Sequence, residues 1–259
     1  VRISLVDSGI GMLSTAAALR AARPDADLIL SMDPDHMPWG PHRPDDVIGR
    51  ALAGARATAD AGPAAIVVPC NTASVHGLDA LRAEFEPDVP VIGTVPAIKP
   101  AAAHGGPIAV WSTVATTRSR YQADLVEQFA AGHTVTPVAC VGLAEAVESA
   151  DAAAVADAVG YAAERTPADV TAVVLGCTHY DLVGDEISAA LGHRAELFSA
   201  ADAVAAQTLR RLGLDPTPEA PRTGTVSVLA SGRPSALPAA ALSYPAGAAL
   251  AVPAVRTGV

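Results

Sequence analysis

Short runs of β-branched residues alternate with alanine-rich stretches along most of this chain, and that alternation constrains its fold more than any other feature. Val1–Val6, Leu28–Ser31, Ala65–Val68, Ile108–Trp111, Thr134–Val138 and Ala172–Leu175 read as buried strands, with a further strand-like run at Val226–Leu229. Leu13–Ala22, Asp46–Ala61, Ser74–Glu84, Tyr121–Ala130, Ala152–Glu164, Asp185–Leu191 and Ala200–Leu212 read as helices. Strands that each feed a helix build parallel sheets covered by helices, an α/β fold. In such sheets binding groups collect at the carboxyl ends of the strands.

A chain of 259 residues, 51% of them hydrophobic, is large enough for one big α/β domain or two smaller ones. The run Val95-Pro96-Ala97-Ile98-Lys99-Pro100 breaks the alternation and marks a boundary. We expect a first domain over residues 1–95, a second over 96–205, and a proline-rich tail, 206–259, that returns to the first. The net charge of −10 and the lack of a basic cluster argue against a nucleic-acid partner. The pair Arg210-Arg211 suits the negative end of a helix dipole. The expected setting is the cytoplasm, without a membrane partner, since neither a leader-like start nor an apolar run of spanning length is present. Three cysteines form an odd set without metal-finger spacing, so neither a disulfide framework nor a zinc site is expected.

Two strands end alike. Ile66-Val67-Val68-Pro69-Cys70-Asn71-Thr72 and Val173-Val174-Leu175-Gly176-Cys177-Thr178-His179 each place a cysteine just past a strand. Amide or hydroxyl residues that can cap the next helix follow each one. The pattern reads as a duplicated half, and two such halves facing each other would bring two thiols to one cleft. Inverting a carbon centre requires a base on one face and an acid on the other, with matched basicity. Thiols at helix amino-termini have lowered pKa values and fit both roles. Cys140, in Val138-Ala139-Cys140-Val141, lacks this context and reads as a small core residue. His179, two residues past Cys177, is either a proton partner of that thiol or a helix cap. Asp7, after the first strand, is either a cap or a carboxylate facing the cleft. Gly9 and Gly11 do not meet the dinucleotide-binding spacing.

These residues resemble glutamate racemases, the enzymes that supply D-glutamate for bacterial peptidoglycan. The resemblance runs in order through Asp7-Ser8-Gly9-Ile10-Gly11, Pro38-Trp39-Gly40, Cys70-Asn71-Thr72-Ala73-Ser74, Ser112-Thr113-Val114-Ala115-Thr116, the stretch from Cys140 to Glu148, Leu175-Gly176-Cys177-Thr178-His179-Tyr180, and the turn Ala230-Ser231-Gly232. It implies two α/β domains related by a pseudo-twofold axis, with the active site between them. It implies that Cys70 works on the D-enantiomer with help from Asp7, and Cys177 on the L-enantiomer with help from His179 and Glu148. Ser8, Asn71, Thr72, Thr116 and Thr178 would hold the substrate's amino and carboxylate groups, and the backbone at Trp39-Gly40 would meet its side-chain carboxylate. The family uses neither pyridoxal phosphate nor metal, so no cofactor is expected. Glutamate is the expected small-molecule partner, and a homodimer stays open.

The chain departs from the family pattern at Met12, where a glycine is usual, at Trp39, where tyrosine is usual, and at Asp181, where proline is usual. Trp39 bears on substrate choice because it stands beside the side-chain carboxylate. Hydantoin and aspartate racemases also pair two cysteines, and the full Cys177-Thr178-His179-Tyr180 run speaks against both. Arylmalonate decarboxylases keep one cysteine, and Cys70 speaks against them. Two further alternatives are a paralogue acting on another amino acid in a specialised pathway and a relative that binds an amino acid or DNA gyrase without catalysis.

Overall fold

The computed structural model of the chain describes residues Val1–Ala251. Its ten strands are, in chain order, β1 (Arg2–Val6), β2 (Asp27–Met32), β3 (Ala65–Val68), β4 (Val91–Gly93), β5 (Ile108–Ser112), β6 (Val135–Ala139), β7 (Ala172–Leu175), β8 (Glu196–Phe198), β9 (Val226–Ala230) and β10 (Arg233–Ser235). They form two sheets, ordered β10-β9-β2-β1-β3-β4 and β6-β5-β7-β8. All pairings are parallel except that of β9 with β10. The fold is thus α/β, with mainly parallel sheets covered by helices.

The chain divides into two compact units: Val1–Thr94 with the chain from Ala201, and Val95–Ala200. The first holds the six-stranded sheet. Ile3, Leu5, Leu28, Leu30, Val67 and Val68 in its central strands are fully or almost fully buried, as strands covered on both faces require. Ser4 interrupts that apolar run, but its hydroxyl donates to Thr58 Oγ1 at 2.9 Å. The tail joins this sheet through β9, whose Val228 pairs with Leu30 of β2. Arg20 secures the approach to β9: its buried guanidinium donates to the carbonyls of Pro24, Ala26 and Thr225. Residues 252–259, which the sequence reading assigned to the first domain, lie outside the described residues.

The second unit builds its sheet on β5 and β7, with Ile108, Val110, Ala172 and Val174 packed on Ile98, Ala101 and Leu125. Two of its longer helices are capped by side chains: Asp151 accepts from the N–H groups of Ala153 and Ala154, and Ser119 accepts from Gln122 N.

Several expected helices differ from those observed. The stretch expected at Asp46–Ala61 begins with Pro44 in its first turn and stops at Arg56, where Thr58 turns its hydroxyl back onto the Ala55 carbonyl. The one expected at Ser74–Glu84 is two helices, Asn71–His76 and Leu78–Phe85, jointed at Gly77. A side chain at Gly77 would meet the Ala73 carbonyl oxygen at 3.2 Å and Ala51 at 3.4 Å. The helices Ile98–His104 and Leu143–Ser149 were not expected.

Candidate active site

In the first unit, Cys70 follows β3 and occupies the N-cap position of the helix Asn71–His76, with extended backbone angles of φ −139 and ψ 116. In the second, Cys177 follows β7 and stands at the N-cap of a 3₁₀ segment, Thr178–Val183, with φ −137 and ψ 131. The two cysteines share one backbone conformation at one kind of strand-to-helix junction. Two details correct the sequence reading. The cysteines themselves hold the cap positions, neither helix start has a side-chain cap bond, and Asn71 and Thr178 are already the first helical residues. The element after Cys177 is a 3₁₀ helix rather than an α-helix. Gly176 has a packing reason: a Cβ there would lie 2.8 Å from the Trp111 carbonyl oxygen on β5.

Around Cys70, which is 6% exposed, the first unit gathers Trp39, Val6, Val68 and Ala73 in one apolar cluster. Asp7, 1% exposed, follows β1, and its Oδ1 accepts from Ser8 N at 2.6 Å. Gly40 lies beside Thr72, with a Cβ built there 4.0 Å from Thr72 Oγ1. Asn71 and Ser8 are buried. Trp39 is buried at 1% exposure, and its indole N–H donates to Asp33 Oδ2 at 3.0 Å. Asp33 was not singled out from the sequence, although a carboxylate at the carboxyl end of a parallel strand, like Asp7, is a legible signal. A cavity of about 180 Å³ in this unit is lined in part by Asp7, Asp33, His36, Trp39, Arg50 and Ser231.

In the second unit, Cys177, His179 and Glu148 form a chain. Cys177 Sγ lies 3.8 Å from His179 Nδ1, and His179 Nε2 lies 2.8 Å from Glu148 Oε2. A carboxylate accepts only, so the hydrogen bond places the imidazole proton on Nε2 and leaves Nδ1 as the acceptor facing the thiol when the ring is neutral. His179 lies inside the segment that Cys177 begins and is not its helix cap. Glu148 reaches it from the unexpected helix Leu143–Ser149. Thr178 is buried beside this chain in sequence, and Thr116 shares a hydroxyl contact of 3.0 Å with Thr113.

Cys140, 3% exposed, neighbours the buried Tyr180 hydroxyl. Burial pushes its thiol up, and the negative charge of a Cys177 thiolate adds to this. A thiol held protonated in this way is inert, in keeping with a core role. Among the described residues, no group of three or more His, Cys, Asp or Glu is placed to hold a metal ion, and no helix is long and apolar enough to cross a membrane.

The chain belongs to the Asp/Glu/Hydantoin racemase family, whose model matches residues 10–208. Within that class it is similar to many glutamate racemases. It is 34% identical to the glutamate racemase of Herpetosiphon aurantiacus over 242 residues, covering 90% of this chain and 93% of that one. It is 37% identical to that of Deinococcus radiodurans over 263 residues, covering 95% and 87%. Among solved structures, Escherichia coli glutamate racemase in complex with L-glutamate and the activator UDP-MurNAc-ala superposes with a TM-score of 0.77 at 28% identity, covering 89% of this chain and 90% of that one.

Proposed function

We propose that this racemase interconverts L- and D-glutamate by a two-thiol mechanism, with Cys70 serving the D-enantiomer and Cys177 the L-enantiomer. The observation that carries the reading is the Cys177–His179–Glu148 chain, which gives one thiol a built-in proton acceptor. Its counterpart is Cys70, set at a matching junction in the other unit.

In the L-to-D direction the Cys177 thiolate takes the α-proton, and the Cys70 thiol delivers one to the opposite face of the planar carbanion. The reverse direction exchanges the roles. When L-glutamate is the substrate, His179 takes the Cys177 proton as the thiolate forms, while Cys70 stays a thiol. Glu148 fixes the ring's tautomer and orientation and favours the imidazolium. When D-glutamate is the substrate, Asp7 serves Cys70 in the corresponding role, while Cys177 stays a thiol. Ser8, Asn71, Thr72, Thr116 and Thr178 bind the amino and α-carboxylate groups, and backbone groups at Trp39-Gly40 take the side-chain carboxylate. Fixing the substrate between two pre-placed proton carriers removes the entropic cost of a bimolecular proton transfer. The mechanism requires one thiol from each unit to reach opposite faces of the same carbon. The D-glutamate formed would serve peptidoglycan synthesis in the cytoplasm.

A circular-dichroism assay started separately from L-glutamate, D-glutamate, L-aspartate and D-aspartate tests the reading. Loss of signal with the glutamate pair alone is expected. Turnover of the aspartate pair alone, or of neither pair, would overturn the assignment.

A further inference from the structure

The turn Ala230-Ser231-Gly232, which the catalytic reading leaves without a role, closes onto Asp33. Ser231 adopts the left-handed conformation, φ 45, which side-chain-bearing residues seldom accept. In that conformation its N–H donates to the Met32 carbonyl at 2.8 Å and its hydroxyl donates to Asp33 Oδ1 at 2.7 Å. The same hydroxyl accepts from Asp35 N at 3.3 Å.

Asp33 in turn holds two of the segments assigned to substrate. Its backbone N–H donates to the Ser8 carbonyl at 3.2 Å. Its Oδ2 accepts the Trp39 indole N–H at 3.0 Å, and its Oδ1 accepts His36 Nδ1 at 3.0 Å. Arg50 Nη1 stands 3.7 Å from Oδ2. The bonding capacity of this carboxylate is therefore largely used. Trp39 is buried in the cluster that contains Cys70, so its ring is fixed at one end by packing and at the other by Asp33. The next residue, Gly40, lies against Thr72.

We propose that Asp33 and Ser231 are positioning residues that clamp the Pro38-Trp39-Gly40 turn, making the C-terminal turn part of the recognition of the substrate's side-chain carboxylate. This rests on the glutamate reading above and deepens it. Neither residue touches substrate. They act by holding Trp39 in one place, so that the peptide groups beside it are pre-set for a dicarboxylic amino acid rather than ordered by it. Burial alone would raise the Asp33 carboxyl, but hydrogen bonds from His36, Ser231 and Trp39 outweigh it and hold the group below the usual carboxylate range. The clamp is thus an ionised acceptor at neutral pH.

The test is steady-state racemisation of glutamate by the full chain and by its Ser231→Ala, Asp33→Asn and Trp39→Phe variants, with the double variant Ser231→Ala/Trp39→Phe. Each single change should raise the KM for glutamate about five- to tenfold, the scale of one lost hydrogen bond, with a distinctly smaller change in kcat. The double variant should lose far less than the product of the two single effects, because both remove one and the same clamp. A merely structural role would lower the melting temperature and the active fraction without this split or this non-additivity. If the unaltered chain racemises glutamate and Ser231→Ala and Trp39→Phe keep its KM, the clamp is overturned and the function stands. If the unaltered chain does not racemise glutamate, both fall. Should Asp33→Asn fail to fold, Ser231→Ala and Trp39→Phe decide the question alone.

Discussion

His179 Nε2 lies 2.8 Å from Glu148 Oε2, and its other ring nitrogen faces the Cys177 sulfur at 3.8 Å. This gives Cys177 an imidazole partner braced by a carboxylate, whereas the acidic residue proposed for Cys70 is Asp7. The two half-reactions should therefore respond to different substitutions. His179→Asn is expected to lower kcat from L to D about 10²-fold, within the range for loss of a general acid–base group. Glu148→Gln should do the same to a smaller degree, and Asp7→Asn should act first on the D-to-L direction. Enantiomers have equal energy, so kcat/KM stays equal in both directions and KM must follow kcat. Initial rates at saturating L- and D-glutamate check this.

Replacing either Cys70 or Cys177 with alanine should abolish racemisation, because one face of the carbon loses its proton carrier. Each variant should still abstract a proton from the other face. With a glutamate analogue bearing a leaving group on the β-carbon, the chain retaining Cys70 should eliminate only from the D-like form and the chain retaining Cys177 only from the L-like form. Racemisation of both enantiomers at an unchanged rate by Cys70→Ala would sink the two-thiol mechanism.

Much of this was legible before the structure. The cysteine motifs could be read because they are local: a strand, a cysteine and a helix start within seven residues of one another. The Cys177–His179 pair is equally local. Glu148 could be named only through family resemblance, since its helix, Leu143–Ser149, opens at Gly142 in a left-handed conformation and has no side-chain cap to announce it. Asp33 was missed for a different reason. What gives it meaning is a hydroxyl 198 positions away in sequence, brought in by the pairing of β9 with β2. The capping roles expected of Asn71 and Thr178 failed because the extended backbone at each cysteine already fills the cap position.

Gly176→Ala should be costly. Its Cβ would stand 2.8 Å from the Trp111 carbonyl oxygen and 3.1 Å from Ser112 Cβ, and backbone cannot retreat as a side chain can. We expect a loss of about 1–3 kcal/mol, read from the urea midpoint, together with a fall in kcat from L-glutamate as Cys177 is displaced.

Cys140→Ala should leave racemisation within about twofold of the unaltered chain and cost about 1 kcal/mol of stability. Alkylation under native conditions should spare Cys140, which is 3% exposed and held protonated. Labelling of Cys140 ahead of Cys177, followed by mass spectrometry, would contradict this.

The Asp33 carboxyl, held below its usual range against the cost of burial, links folding to pH. A carboxyl whose folded-state pKa is depressed stabilises the fold fully above its unfolded value, near pH 4, and loses that contribution as pH falls through the folded value. His36 and Arg50 face it and favour the ionised form. Urea unfolding between about pH 3 and pH 7 should show a shallower acid decline for Asp33→Asn than for the unaltered chain.

The seating of β9 beside β2 also sets an order of assembly. The second unit is one uninterrupted stretch, Val95–Ala200, and all of its strands have been synthesised once residue 200 has been added. The first sheet at that moment still lacks β9, so the hydrogen-bonding edge of β2 lies open to any other extended chain. On a ribosome, the half of the molecule that is begun first is the last to be finished. A stop codon between Ala201 and Thr225 would release a chain whose later-made half has all its strands and whose earlier half carries a bare, apolar strand edge.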